Sequence, residues 1–406
     1  MGTSTDYQRP YRPLAVSTLN AAARLTGLPG RLDVGAMVAR AKRRTGLTDF
    51  GDEWFLEPLA VLVDAINTEA QLTPVGQWIQ KARLTGALAK RLRVEELLRQ
   101  HPEILDIDLR KIIVIASLQR TGTTTLHRLI AADPRARKLL AWEALDPLPS
   151  PARMRIRRAR MAERAIAYMA PEFFAVHPIE HYAPEEDVLL LDLCFMSQSP
   201  EAVMYVPSYA NWLEGQDHTK AYAYLATLLK VLHWQRPGDF WVLKTPHHAE
   251  HLDVILEVFP EAIVVQTHRD PQTIVPSFCS MVAHGRGMLS DRIDTREIAA
   301  HWTRKMRRMM ELSIEARKVA PSRFVDVSYY DLLADPIAEL QRIYRRADIA
   351  FDDAAVRAAE NAATENARHR YGKHVYRVDD FGLTGKSVER CFAFYRREYR
   401  VPHEQS

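Results

Sequence analysis

One stretch constrains the fold of this chain more than any other: KIIVIASLQRTGTTTLHRLIAADP, residues 111–134. Its first part is a continuous β-branched run, which is typical of a strand that is covered on both faces. A polar loop containing Gly122 follows, and then a segment with apolar residues at helical spacing. A tight turn between a strand and a helix gathers backbone amides and the helix N-terminus in one place, where they favour an anion. The sequence therefore predicts a strand–loop–helix unit that can hold a phosphate.

The loop differs from the loops that bind ATP or GTP. Those loops follow the pattern GxxxxGK[ST], in which the lysine contacts the β- and γ-phosphates. Here Arg120 precedes the glycine, no lysine follows it, and the hydroxyl donors are Thr121, Thr123, Thr124 and Thr125. The alternative is a threonine-rich turn without a ligand, since such turns are common between strands and helices.

Three further segments are predicted to be strands, and helical stretches separate them. They are FWVLKTP (240–246), AIVVQTHRDP (262–271) and RFVDVSYYDL (323–332). Strands that alternate with helices predict an α/β fold with a parallel sheet and helices on both faces. Ligands of such sheets bind at the carboxyl ends of the strands, so the polar residues after each strand are the candidate site.

The first hundred residues have a different character. Residues 13–100 carry apolar side chains at helical spacing, interrupted by Gly30, Gly46 and Pro74. We therefore expect an N-terminal helical region over residues 1–104, packed on an α/β domain over residues 105–406.

Composition limits the possible partners and compartments. The formal net charge is +4, which suits a small anionic ligand but gives no support to nucleic-acid binding. Cys194, Cys279 and Cys391 form no metal or disulfide pattern, which favours a reducing cytosol and a cytoplasmic protein. We expect no secretory signal, because the first residues lack an apolar stretch behind a basic one. No run reaches the length of about 18 apolar residues that a membrane span needs.

A second group of polar residues follows the third and fourth predicted strands. Arg269 stands at a strand end and Ser277 about two helical turns later, so the two can hold a second phosphate. Asp270 and Pro271 also fit an ordinary helix start, which is the structural alternative. Tyr329 can stack on a base or pack in the core.

Taken in order, these motifs resemble those of sulfotransferases that use 3′-phosphoadenosine 5′-phosphosulfate (PAPS). The motifs are RTGTT, KTPHH, RDPQTIVPS and YYDLLADP, and the resemblance runs from about Lys111 to Pro336. The resemblance is to the bacterial branch, here of an actinobacterial type, in which arginine stands in the loop where cytosolic animal enzymes have lysine. It implies a sheet like that of the P-loop NTPases, flanked by helices.

The resemblance also implies which residues bind the donor and its product, 3′-phosphoadenosine 5′-phosphate (PAP). Arg269 and Ser277 match the family's 3′-phosphate pair, and Tyr329 matches the tyrosine near the adenine. The sequence RYGKH departs from the Arg-Lys-Gly order of the cytosolic enzymes but is similar to the basic loop over the 3′-phosphate. The 5′-phosphosulfate loop would be Gln119, Arg120, Thr121, Gly122, Thr123, Thr124 and Thr125, and the basic loop would supply Arg370, Gly372 and Lys373.

The implied reaction transfers a sulfuryl group from PAPS to a hydroxyl. As in phosphoryl transfer, in-line positioning and charge stabilisation carry most of the catalysis. Arg120 and Thr124 are expected to meet the charge that grows on the leaving phosphate. Sulfate carries one charge less than phosphate, so we expect no Mg²⁺ and no other metal.

The acceptor hydroxyl needs a base, and the sequence leaves several candidates. His248 is the first choice, with His247 behind it, because KTPHH is similar to the stretch that carries the base in cytosolic enzymes. Lys244 would contact the transferring group. Glu143 lies shortly after the loop helix, where tyrosylprotein sulfotransferases place a glutamate base. Glu186, in PEED, is the last candidate, although acids are common in the first turn of a helix.

Two features bear on the acceptor. Residues 152–169 carry six arginines, which suits either an anionic membrane surface or an ordinary solvated helix face. Segments rich in aromatic residues and methionine, such as residues 167–182, can line an apolar pocket or the core. We therefore expect a small hydrophobic acceptor, such as an aryl alcohol, a lipid or a sterol-like molecule. The sequence fixes neither the acceptor nor the oligomeric state.

Two other functions remain possible on the sequence alone. One is a nucleoside triphosphate hydrolase or kinase with a degenerate loop, which would need Mg²⁺. The other is a nucleotide-binding protein without catalytic activity.

Overall fold

The structure is a computed structural model and describes residues 6–7, 9–176, 180–365 and 376–404. Its N-terminal part is helical, as predicted. The helices are α1 (Leu14–Thr26), α2 (Val34–Thr45), α3 (Leu56–Thr68) and α4 (Pro74–Gln100). Gly46 ends α2 in a left-handed conformation, and Thr73 caps α4 through its side chain, which accepts a hydrogen bond from the Gly76 amide.

A parallel sheet of five strands follows. The strands are β1 (Ile112–Ile115), β2 (Ala136–Lys138), β3 (Phe240–Lys244), β4 (Ile263–His268) and β5 (Phe324–Ser328). They lie in the order β2-β3-β1-β4-β5, and every neighbouring pair is parallel. The predicted α/β class and the four predicted strands are confirmed, whereas the short edge strand β2 was not predicted.

Helices surround the sheet and connect its strands. They are α5 (Thr123–Ala131), α6 (Ala141–Leu145), α7 (Ala152–Met169), α8 (Pro171–Val176), α9 (Val188–Leu191), α10 (Ser199–Val203), α11 (Pro207–Leu213), α12 (Thr219–Gln235), α13 (Leu252–Val258), α14 (Pro271–Gly287), α15 (Thr295–Val319), α16 (Tyr329–Ala334), α17 (Pro336–Arg346), α18 (Asp353–Glu365) and α19 (Gly385–Tyr399). None of the described helices is both long and apolar enough to cross a membrane.

The sheet is buried on both faces, which explains the unbroken apolar run of β1. Ile112 and Val114 belong to the same apolar cluster as Leu88 of α4, so the N-terminal helices and one face of the sheet share a core. Ile113 and Ile115 point to the opposite face, where they join a second cluster with α5 and α17. Because all five strands are parallel, the turns after β1, β3, β4 and β5 meet at one edge of the sheet.

Candidate active site

The loop between β1 and α5 makes the tight turn that the sequence predicts. Arg120 and Gly122 both have positive φ angles, of 66° and 91°. A Cβ atom on Gly122 would lie 2.8 Å from Cδ2 of Tyr329, so glycine is required by the backbone conformation and by this close approach. Positive φ at an arginine is uncommon and costs free energy, which the surrounding contacts must offset.

Thr121 holds this loop against the sheet. Its side chain is fully buried, and its hydroxyl lies 2.7 Å from the Leu118 carbonyl oxygen and 2.6 Å from Oγ1 of Thr267. The expectation that Thr121 contacts the donor therefore does not fit its position, because the hydroxyl is already engaged within the protein. The hydroxyl tethers the loop to β4.

The remaining residues of the loop line a large cavity. Gln119, Arg120, Gly122, Thr123, Thr124 and Thr125 all contribute to its wall. Gln119 is nearly buried, and neither atom of its amide group has a hydrogen-bond partner in the described part of the chain. A buried amide without partners is unfavourable, so this position is arranged for a polar ligand.

Two arginines of the cavity wall, Arg120 and Arg269, lie close together. Nε of Arg120 donates to Oγ of Ser277 at 3.2 Å, and Nη1 of Arg269 donates to the Arg120 carbonyl at 3.1 Å. The Arg269 guanidinium lies 4.1 Å from the centroid of the Tyr329 ring. Burial and the nearby charge of Arg269 lower the pKa of Arg120. The positive charges of Arg120 and Arg269 repel each other, so an anion bound near both would offset this repulsion.

The chain itself already places an anion on Arg269. The Glu404 carboxylate pairs with its guanidinium at 2.6 and 3.2 Å. Thr273 and Tyr330 donate their hydroxyls to the same carboxylate at 3.0 and 3.3 Å, and the Glu404 amide donates to Asp270 at 2.7 Å. The region around Arg269 is therefore chemically suited to a bound anion. Arg370, Gly372 and Lys373, the predicted basic loop, lie outside the described residues.

The turn after β3 brings Lys244 to the cavity wall. Its ammonium group lies 2.5 Å from the Glu186 carboxylate, which also accepts a hydrogen bond from Thr245 at 3.3 Å. Lys244 and Glu186 both line the cavity. The Lys244 amide donates to Asp187 at 2.8 Å. Acidic residues therefore hold both the backbone and the side chain of Lys244 at the end of β3.

The two histidines of this turn do not reach the cavity. His248 is buried, with Nε2 2.6 Å from Asp187 and Nδ1 2.9 Å from the Tyr222 hydroxyl. His247 is completely buried. Neither side chain contributes to the cavity wall. The structure therefore gives no support to the prediction that one of them is the base, because neither faces an acceptor in this cavity.

Glu143 also lies away from the cavity wall. It is buried, forms a two-pronged ion pair with Arg137 at 3.0 Å and pairs with Arg236 at 2.9 Å. It also accepts the Leu140 amide, so it caps α6. Burial opposes its ionisation, but the two arginines outweigh burial and lower its pKa. Glu143 is engaged structurally and is poorly placed to take a proton from a substrate.

Sequence reasoning missed Glu185, the neighbour of Glu186 in PEED. Glu185 lines the cavity together with Lys244, and its carboxylate accepts the Glu186 amide at 2.9 Å. Burial, with a contribution from the charge of Glu186, raises the pKa of Glu185 to about 7. Three adjacent acids before an apolar run, Glu185, Glu186 and Asp187, were the available signal, but the sequence could not show which of them pairs with the lysine.

The cavity wall combines polar and apolar side chains. Its volume is about 570 Å³, within the usual range for small-molecule sites. Polar groups come from the loop after β1, from Lys244 and Arg269, and from further residues such as Arg83 and Asp192. The apolar part of the lining includes Leu145, Ile166, Phe173, Val188, Phe278, Met281, Val282 and Trp302.

With this geometry in place, comparison with known proteins identifies the class. Residues 113–353, more than half of the chain, match the sulfotransferase family. The crystal structure of sulfotransferase STF1 from Mycobacterium tuberculosis H37Rv is 34% identical and has a TM-score of 0.76, covering 89% of this chain and 99% of that one. For sulfotransferase STF9 from Mycobacterium avium, the identity is 28% and the TM-score is 0.83, with 92% and 98% covered. The chain belongs to the sulfotransferase family, and its sheet is of the P-loop NTPase-like type.

The chain is also similar to a curated protein that has a more specific name. The omega-hydroxy-beta-dihydromenaquinone-9 sulfotransferase Stf3 of Mycobacterium bovis is 25% identical over 256 residues. The match covers 57% of this chain and 61% of that protein, so it spans less than two thirds of the relative.

Proposed function

We propose that this enzyme transfers the sulfuryl group of PAPS to a hydroxyl of a small apolar acceptor. The observation that carries this proposal is the mixed lining of the cavity. Partnerless amide atoms of Gln119 and the side chains of Arg120 and Arg269 belong to the same wall as many apolar side chains. A charged donor and an apolar acceptor can therefore meet inside one cavity.

The donor would lie along the edge of the sheet. The loop after β1 and the N-terminus of α5 would hold its 5′-phosphosulfate, because amides and the helix dipole favour negative charge there. Arg269 and Ser277 would hold the 3′-phosphate, and Tyr329 would lie near the adenine. The hydrogen bond between Arg120 and Ser277 supports this assignment, since it links the two phosphate positions directly.

Catalysis would then need a base on the acceptor side, and we assign that role to Glu185. The acceptor oxygen attacks sulfur and forms the new S–O bond, while the bond from sulfur to the phosphate oxygen breaks. The hydroxyl proton passes to the Glu185 carboxylate, and PAP leaves with the electron pair. A carboxylate whose pKa is about 7 is well matched to this task near neutral pH. Glu186 is the weaker candidate, because it is already paired with Lys244.

Lys244 and Arg120 would stabilise the departing charge. Lys244 is held at the cavity wall by Glu186, and Arg120 is held by Ser277, so both charges are positioned in advance. We expect the reaction to proceed without Mg²⁺.

The acceptor is proposed to be a hydroxylated lipid or isoprenoid. The apolar wall favours such a molecule over a sugar, and the curated relative carries an omega-hydroxylated menaquinone in its name. Ala159, Ala162 and Ile166 of α7 form part of this wall. The opposite side of α7 exposes Met161 and Tyr168 among its arginines. This helix could therefore rest on an anionic membrane and admit the acceptor.

Isothermal titration with PAP in metal-free buffer tests the donor site. We expect the wild type and a control, Arg157→Ala on the exposed face of α7, to bind, and Arg269→Ala to bind at least about tenfold more weakly. Equal binding by all three proteins would remove Arg269 from the site. If PAP does not bind but ATP binds with Mg²⁺, the chain is a nucleotide enzyme of another kind. If PAP binds without turnover on any acceptor, the binding-protein alternative gains support.

Flotation with anionic vesicles tests the membrane step. The wild type should float with anionic vesicles and not with neutral ones, and replacing Arg157, Arg160 and Arg164 with glutamine should abolish flotation. A wild type that stays in the dense fraction with both kinds of vesicle would contradict membrane contact. Flotation that the triple variant retains would show that other residues make the contact.

A further inference from the structure

Three histidines that do not line the cavity lie close together near the turn after β3. His218 precedes α12, and His247 and His251 belong to the turn that leads from β3 into α13. One ring nitrogen from each lies within 4.8 Å of those from the other two. The ring centroids are 3.7 Å apart for His218 and His251 and 4.7 Å apart for His247 and His251.

Several of these ring nitrogens lack a protein partner. His247 is fully buried, and within the described residues neither of its ring nitrogens has a hydrogen-bond partner. The same holds for Nδ1 of His218, which is itself buried. Buried polar groups are nearly always satisfied by protein, water or an ion. A cluster of partnerless imidazoles in one place therefore indicates a missing partner.

The other ring nitrogen of His218 shows how this side chain is oriented. Nε2 lies 3.2 Å from the carbonyl oxygen of Leu213. A carbonyl can only accept, so Nε2 carries the hydrogen and Nδ1 keeps its lone pair. Histidines that bind metal ions usually have this arrangement, in which a backbone carbonyl fixes the tautomer and leaves the opposite nitrogen for the metal.

The surroundings can accept a cation and allow it to enter. Lys305, a buried cation of α15, is neutralised by Glu201, Glu250 and Glu214 at 2.9, 3.1 and 3.4 Å. His251 is only partly buried, so the cluster is open to solvent on one side.

We propose that His218, His247 and His251 form a Zn²⁺ site. Three neutral imidazoles are a common ligand set for zinc, with a water molecule in the fourth position. Zn–N bonds of about 2.1 Å place the nitrogens of a tetrahedral site about 3.4 Å apart. The ring nitrogens, which now lie within 4.8 Å of one another, would therefore converge on the ion, and the stacked rings of His218 and His251 would have to turn apart. The ion would tie the start of α12 to the turn that carries Lys244 and Thr245. It would act on stability and on the position of Lys244, because none of the three histidines lines the cavity.

Metal content of the full chain tests this site, after removal of any affinity tag. We expect about one zinc ion per chain in the wild type, and a visible spectrum of tetrahedral cobalt when Co²⁺ replaces it. His218→Gln and His251→Gln should lower zinc affinity at least about tenfold, while His101→Gln, an exposed histidine, should leave it unchanged. Zinc should also raise the melting temperature of the wild type and of the control.

Two results would overturn the proposal. One is a wild type without bound zinc that also shows no cobalt spectrum and no thermal shift; the histidines would then be a cluster satisfied by water. The other is equal zinc binding by the wild type and both variants, which would place the ion elsewhere. If the variants fail to fold, chelator titration and cobalt spectra of the wild type still decide the question. PAP titration of the same samples reports on the donor site separately, so the two proposals can fail independently.

Discussion

The turns after β1 and β3 leave neighbouring strands at the same edge of the sheet, yet they are built in opposite ways. The first has two residues with positive φ, the partnerless Gln119 amide and an arginine beside another arginine, and it opens into the cavity. The second presents only Lys244 and Pro246 to the cavity and turns its histidines toward the core.

This difference shows that position at a strand end does not by itself assign a function. Both turns are rich in polar residues, and sequence reasoning treated both as catalytic. In the structure, His248 is enclosed between Asp187 and Tyr222. What separates the two turns is whether their polar groups are satisfied by protein or directed into a space that a ligand can occupy.

The largest expected effect contrasts Glu185, the proposed base, with Glu143, which only the sequence suggested as a base. Glu185→Gln should lower kcat by about 10²- to 10⁴-fold, because it removes the proposed base and keeps the size of the side chain. Glu143→Gln should leave the turnover per folded molecule near that of the wild type, because Glu143 pairs with Arg137 away from the cavity. Assays with labelled PAPS, corrected for the folded fraction, measure both. Near-normal turnover of Glu185→Gln would exclude it as the base.

The second-largest expected effects come from one substitution in each of the two turns, after β1 and after β3. Arg120→Ala should lower kcat by about 10²- to 10³-fold, since it removes a positioned charge from the leaving phosphate. His248→Gln should instead lower the free energy of unfolding by about 3 kcal/mol, because it disturbs the buried pair with Asp187. Turnover assays and thermal melts of both variants give the two readouts. A stable His248→Gln protein with greatly reduced turnover would restore His248 as a catalytic residue.

Much of the fold was predictable from the sequence, because residues that are close in sequence specify most of its strands, turns and helices. The β-branched run of β1 and the glycine of its loop specify a strand and a tight turn through residues close in sequence. Strand β2 was missed because its three residues, ARK, carry two charges and no apolar alternation. Tertiary contacts create it: Arg137 is buried against Trp241, 4.6 Å from the ring centroid, and pairs with Glu143.

The site was predictable only in part, because side-chain direction depends on distant partners. The loop after β1 could be located from its own residues. The choice between Glu185 and Glu186 depends on Lys244, which is 58 residues away from Glu186 in sequence. The contact of Glu404 with Arg269 spans 135 residues and left no pattern in the sequence.

A smaller effect uses pH to test the environment of Glu185. Its pKa is about 7 in the folded protein, against the ordinary value of 4.5, so folding disfavours the ionised form. The wild type should therefore lose stability as pH rises from about 5 to about 8, by at most about 3 kcal/mol, and Glu185→Gln should not. Over the same range kcat/KM should rise, because the base must be ionised. Parallel stability curves for the two proteins would show that this carboxyl is not perturbed.

The smallest expected effect concerns Glu404, the glutamate that forms an ion pair with Arg269. If PAP takes the position of the Glu404 carboxylate, the ligand must displace an ion pair that Thr273 and Tyr330 also support. Glu404→Gln should therefore tighten PAP binding about three- to tenfold, because more of the protein is competent to bind. His403→Gln, a change at the exposed neighbour of Glu404, should leave the affinity for PAP unchanged.

High salt should reduce the difference in PAP affinity between the wild type and Glu404→Gln, since salt screens the partly exposed ion pair of Glu404 with Arg269. Unchanged affinity of Glu404→Gln would mean that the carboxylate and the 3′-phosphate use different sides of Arg269, and the 3′-phosphate position would then have to be sought nearer Ser277.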